Sequence, residues 1–121
     1  MANGVLFLEY PKCSTCQKAK RWLDAQGVTY TDRDIVEGNP TADELRVWHE
    51  MSGLPLKRFF NTSGMLYREM ELSKKLPDLS EEEQYALLAT NGMLVKRPLL
   101  VTAATAIPGF KEAAWEEVLG R

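Results

Sequence analysis

Cys13 and Cys16 are the only cysteines of this 121-residue chain, and their spacing places both sulfurs within one turn of a helix. Thiols that close can interconvert between dithiol and disulfide, so the chemistry open to Cys13-Ser14-Thr15-Cys16 is thiol–disulfide exchange or redox sensing. A structural zinc site would need four ligands. Beyond the pair the chain offers one histidine, His49, and no further cysteine, which argues against a metal. A structural disulfide would suit a small secreted protein, but Met1-Ala2-Asn3-Gly4 leads straight into an apolar run without the basic, apolar and cleavage regions of a leader. The expected compartment is therefore the reducing cytoplasm, and inert thiols remain the bland alternative.

The pair needs a strand before it and a helix beneath it. Residues 4–12 are nearly continuously apolar, as in a buried central strand, until Pro11 stops the ladder. Ser14 to Gln26 reads as a helix with Cys16, Ala19 and Leu23 on one face and Gly27 as the stop. Cys13 then sits at a helix N-terminus, where free N–H groups, the helix dipole and Lys12 favour a thiolate. Cys13 is the expected nucleophile, and Cys16, one turn in and more buried, the resolving thiol.

Composition sets the frame. A chain that is 45% hydrophobic and 26% charged supports one core, read as a single domain over residues 1–121. A net charge of −2 gives no general basic excess for nucleic acid, and no apolar stretch reaches the roughly 20 residues of a membrane span. Neither direct nucleic-acid binding nor a membrane is expected.

After the first helix, residues 28–36 alternate as a half-buried strand, with Val28, Tyr30 and Asp32 set against Thr29 and Thr31. Capping boxes at Thr41-Ala42-Asp43-Glu44 and Ser80-Glu81-Glu82-Glu83 open two helices, the first ending at Gly53 and the second near Asn91-Gly92. Short helical turns are expected between them. Residues 98–102 and 105–107 read as two strands, Pro108-Gly109 as a turn, and Phe110, Ala114 and Val118 as the seam of a closing helix. The order is βαβ then ββα around a helical insertion at about 41–91, a thioredoxin-like (glutaredoxin-like) α/β fold, which places its active site beyond the carboxyl end of the first strand.

Tyr10-Pro11-Lys12-Cys13-Ser14-Thr15-Cys16-Gln17-Lys18-Ala19, the helical insertion, and Met93-Leu94-Val95-Lys96-Arg97-Pro98-Leu99-Leu100-Val101 together resemble the arsenate reductase/Spx family over nearly the whole chain. The resemblance implies that Cys13 is the nucleophile, that Arg97 helps bind an oxyanion, and that Pro98 is a cis-proline packed near the thiol. Two departures weaken arsenate binding: Gln17 and Asn61 stand where oxyanion-binding arginines are expected, and Lys12, Lys18 and Arg97 compensate only in part. Cys16 is a third departure from the single-cysteine reductases and points to internal disulfide chemistry.

Two functions follow. One is a thiol–disulfide oxidoreductase with no bound cofactor, supplied with electrons by glutathione, glutaredoxin or thioredoxin. The other is an Spx-like redox-sensing regulator that binds the RNA polymerase α subunit. The remaining residues have structural readings. His49 is expected at the surface or as a cap, and Trp22, Trp48, Trp115, Phe59 and Phe60 in core or semi-buried packing. Lys18, Lys20 and Arg21 are read as a solvated helix face.

Overall fold

The structure, a computed structural model, describes residues 4–121. The leader expectation falls largely on residues 1–3, which lie outside the described residues. In chain order the main elements are β1 (Leu6–Glu9), α1 (Ser14–Ala25), β2 (Thr31–Asp34), α2 (Ala42–Ser52), α3 (Met65–Glu69), α4 (Leu72–Lys75), α5 (Glu81–Leu88), β3 (Leu99–Val101), β4 (Ala106–Pro108) and α6 (Glu112–Leu119), with 3₁₀ turns at Leu56–Phe59, Leu76–Asp78 and Gly92–Leu94.

The four strands form one sheet of order β2-β1-β3-β4. β2 is parallel to β1, β3 is antiparallel to β1, and β4 is antiparallel to β3. This is the thioredoxin-like arrangement. Pairing on both sides makes β1 central, and that is why its sequence is apolar on both faces. Phe7 points to the side covered by α1 and α6, where it packs with Ala19, Leu23, Leu100 and Trp115. Leu8 points to the other side, where Leu99 and Val101 meet Leu45, Trp48, Phe59 and Leu88 from the helical segment. Both capping boxes form as read, and Gly53 ends α2 in the left-handed region at φ 67°.

Three boundaries differ from the sequence reading. The strand expected over residues 28–36 shortens to β2, because Val28 N–H closes back onto Leu23 O at the end of α1. As an edge strand β2 leaves Thr31 and Asp32 outward, and the buried apolar residues of this stretch are Val28 and Ile35, which flank it. α5 stops at Leu88, short of Asn91. The closing helix starts only at Glu112, so Phe110 precedes it, and the seam is built on fully buried Trp115. Its indole donates to Gly109 O at 3.1 Å, and its ring meets Phe110 edge-on at 4.9 Å. No helix of the described residues is long and apolar enough to cross a membrane.

Gly92 fastens the segment leading into residues 97–98 against the loop after β2. A Cβ there would lie 1.9 Å from Ile35 O and 3.1 Å from Val36 Cα, both backbone atoms that cannot swing aside. Gly92→Ala is therefore expected to destabilise the fold by about 3 kcal/mol. Urea unfolding checks this, and an unchanged midpoint would contradict the close approach.

Candidate active site

The turn Tyr10-Pro11-Lys12 carries the chain from β1 to α1, and Cys13 N–H donates back to Tyr10 O at 2.9 Å. Cys13 is the N-cap of α1, extended at φ −90° and ψ 119°, and its Sγ accepts the Cys16 N–H at 3.4 Å. The sulfur thus stands where a capping oxygen ordinarily would, facing the unsatisfied donors of the first turn. Both cysteines are free. Cys13 is half-buried, while Cys16 is fully buried. Burial, then the hydrogen bond and charge of Cys13 and the charge of Glu9, push the Cys16 thiol up to about 12, against a lowering contribution from the Tyr10 backbone.

Beneath the pair lies an acid that the sequence reading passed over. Glu9 ends β1 and is only 5% exposed. Burial, followed by its hydrogen bond to Asp32 and the nearby Asp32 and Asp34 charges, pushes its carboxyl up to about 7, with Lys20 opposing. Asp32 moves the other way. Although burial works against it, the hydrogen bond with Glu9 and the ion pair with Lys20, 2.8 Å away, hold it below the usual carboxylate range. Gln17 completes the corner, its Nε2 donating to Pro11 O at 3.0 Å and to Glu9 Oε1 at 3.4 Å. The available signal was a lone charged residue in an otherwise apolar run ahead of the cysteines.

The remaining site residues divide between two flanks. The Arg97–Pro98 peptide is cis, and Pro98 is buried with its carbonyl accepting from Gly109 N–H at 2.8 Å. Arg97 stacks over Tyr10 at 5.5 Å, and its Nη1 donates to Met93 O at 3.2 Å and Val95 O at 3.4 Å. It shares a cleft with Thr15, the residue between Ser14 and Cys16, so the 97–98 loop faces the first turn of α1. Lys12 lines a different recess, with Asp34 and Glu37. Asn61 shares a third recess with Arg97 but supplies no charge.

The basic cluster of α1 is divided, since Lys20 is drawn to Asp32 while Lys18 and Arg21 are exposed. His49 is neither a cap nor a free surface group. It is half-buried between α2 and α5, with Nδ1 2.7 Å from Tyr85 Oη, because the buried tyrosine hydroxyl needs a polar partner. The tryptophans and phenylalanines read as core pack as expected, with Trp22 half-buried.

Comparison with known proteins adds three findings. The ArsC family matches residues 8–118 of the chain. The uncharacterized protein YusI of Bacillus subtilis (strain 168) is 51% identical over 114 residues, 94% of this chain and 97% of that protein. The crystal structure of an ArsC family related protein from Bacteroides fragilis superposes with a TM-score of 0.92 at 58% identity, covering 98% of this chain and 99% of the other. More distantly, the global transcriptional regulator Spx 2 of Bacillus anthracis is 25% identical, covering 90% of this chain and 82% of its own length.

Iodoacetamide at neutral pH is expected to label Cys13 well before Cys16, because Cys16 is fully buried and holds its proton. Mass spectrometry of partly alkylated protein checks the order, and faster labelling of Cys16 would reverse the roles. A second expectation concerns Glu9. A carboxyl whose affinity rises on folding from 4.5 to about 7 adds stability below its ordinary range, and that contribution is lost as pH rises through about 7. Relative to wild type, Glu9→Gln should gain on the order of 2–3 kcal/mol between pH 4 and pH 8. Urea unfolding at the two pH values measures it, and a pH-independent difference would mean that Glu9 titrates normally.

Proposed function

The chain belongs to the ArsC family, and from that membership we propose that it is a cytoplasmic thiol–disulfide oxidoreductase working through Cys13 and Cys16. The observation that carries this reading is the asymmetry of the pair: an accessible sulfur capping α1, and a buried, proton-holding thiol one turn deeper.

The reaction follows from that asymmetry. Cys13 thiolate attacks one sulfur of an oxidised substrate, forming a mixed disulfide and releasing the other sulfur as a thiolate. Cys16 then loses its proton and attacks the Cys13 sulfur, which forms Cys13–Cys16 and releases the second substrate thiolate. The substrate gains two electrons and the dithiol loses two, to be restored by glutathione, glutaredoxin or thioredoxin. The Glu9 charge is felt at Cys16, so an ionised Glu9 disfavours the Cys16 thiolate and a protonated Glu9 eases the second step.

Arsenate is a poor fit. Its capture favours several fixed guanidinium donors, each charge-assisted bond contributing about 1.5–3 kcal/mol. Here Gln17 spends its amide on Pro11 O and Glu9, Asn61 is neutral, and Arg97 leans on two backbone carbonyls. Disulfide exchange needs only an accessible thiolate and a resolving thiol. Similarity to Spx 2 favours a second reading, in which the same pair is the switch of a regulator that binds the RNA polymerase α subunit.

Cys16→Ser is expected to accumulate mixed disulfides at Cys13, while Cys13→Ser abolishes exchange. Turnover of 2-hydroxyethyl disulfide with a dithiol reductant, set beside arsenate turnover and capture of the purified polymerase α subunit, tests the choice. Robust arsenate reduction, or redox-dependent capture without disulfide turnover, would overturn the proposed activity.

A further inference from the structure

Acidic residues outnumber basic ones in this chain, 17 to 15, yet the flank of the cysteine loop that faces Arg97 is lined by cations. The cleft shared by Thr15 and Arg97 has a volume of about 380 Å³, and its walls include Arg58, Lys96, Phe110 and Lys111. A second cleft of about 340 Å³ shares Arg58 and Lys96 with the first and adds Lys57 and Phe60. No aspartate or glutamate lines either cleft. Among the described residues, none of Lys57, Arg58, Lys96, Arg97 and Lys111 forms an ion pair, whereas Lys20, Arg33, Arg46 and Lys74 all do.

Like charges gathered without counter-charges repel one another, and the fold offers no internal partner that would offset the cost. A groove of this kind raises the local concentration of anions, and Thr15, the residue just before Cys16, stands in its wall. Half-buried Phe110 supplies apolar contact along it. The cations are strung along two joined clefts instead of converging on one point, which suits separated carboxylates better than a single compact oxyanion.

We infer that this groove selects oxidised substrates whose disulfide is flanked by carboxylates, with Lys57, Arg58, Lys96 and Lys111 as specificity-determining cations beyond Arg97. The inference rests on the exchange activity proposed above and leaves its bond-making unchanged: the carboxylate-bearing disulfide is reduced and Cys13–Cys16 is formed. A small carboxylate-bearing disulfide would occupy the first cleft alone, and an acidic peptide segment would run through both.

The test compares kcat/KM, with a dithiol reductant, for glutathione disulfide and the disulfide of a cysteinyl-tetraglutamate peptide (anionic), 2-hydroxyethyl disulfide (neutral) and cystamine (cationic). Anionic substrates are expected to exceed cystamine by about tenfold or more at low salt. That ratio should collapse towards unity near 1 M salt, where the screening length falls to about 3 Å. Lys111→Gln should lower the ratio about threefold or more, while Lys74→Gln, which removes the same charge away from the groove, should not. Loss on Lys57→Gln confined to the tetraglutamate disulfide supports a peptide spanning both clefts. Loss on Lys111→Gln alone supports the small substrate. Turnover of 2-hydroxyethyl disulfide with a salt-independent ratio near unity would overturn the inference and leave the exchange reading standing. Failure to turn over any disulfide would overturn both.

Discussion

One buried corner governs the rest of the site. Where β1 ends and α1 begins, the fold withdraws a thiol and a carboxyl from water together, and charging either one raises the energy of the other. Each is held protonated by the same low-polarity surroundings, and the outer sulfur of Cys13 is left as the accessible reactive atom. The central position of β1 makes this corner unavoidable. A strand paired on both sides and covered on both faces delivers its last residue, Glu9, into the interior.

The acids and the cations then separate. Asp32, held by Lys20, stands on β2 beside Glu9, and Lys12 lies in a recess with Asp34 and Glu37. On the opposite flank the 97–98 loop, the 3₁₀ turn at Leu56–Phe59 and the start of the last helical segment contribute cations with no carboxylate among them. The charges around the cysteine loop are therefore arranged with direction, negative on the β2 side and positive on the β3–β4 side. Directed fields of this sort discriminate among ligands by charge more than they add to stability.

Family membership and local chemistry answer different questions here. The ArsC match, with the close structural likeness to the Bacteroides fragilis protein, establishes the scaffold and the placement of the cysteine loop. What the loop does depends on individual side chains. Gln17 is an amide that braces a protonatable acid, and Cys16 supplies a second sulfur within reach of the first. Both side chains are what the proposed exchange between sulfurs uses.

The dithiol, the helix it caps, both capping boxes, the two-faced central strand and the order of elements were legible in the sequence, because each rests on local periodicity or on contacts within a few residues. Boundaries that depend on distant partners were not. The final helix is organised by Trp115, which packs edge-on against Phe7 of β1, more than a hundred residues earlier. His49 found Tyr85 across 36 residues, a pairing no local rule contains. The buried state of Glu9 and the basic groove belong to the same class. Glu9 is an ordinary charged residue until the sheet and Asp32 close around it, and Lys57, Arg58, Lys96 and Lys111 are scattered surface cations until packing brings them to one wall. Desolvation and the summed field of separated charges depend on three-dimensional distance, and only the tertiary structure sets that distance.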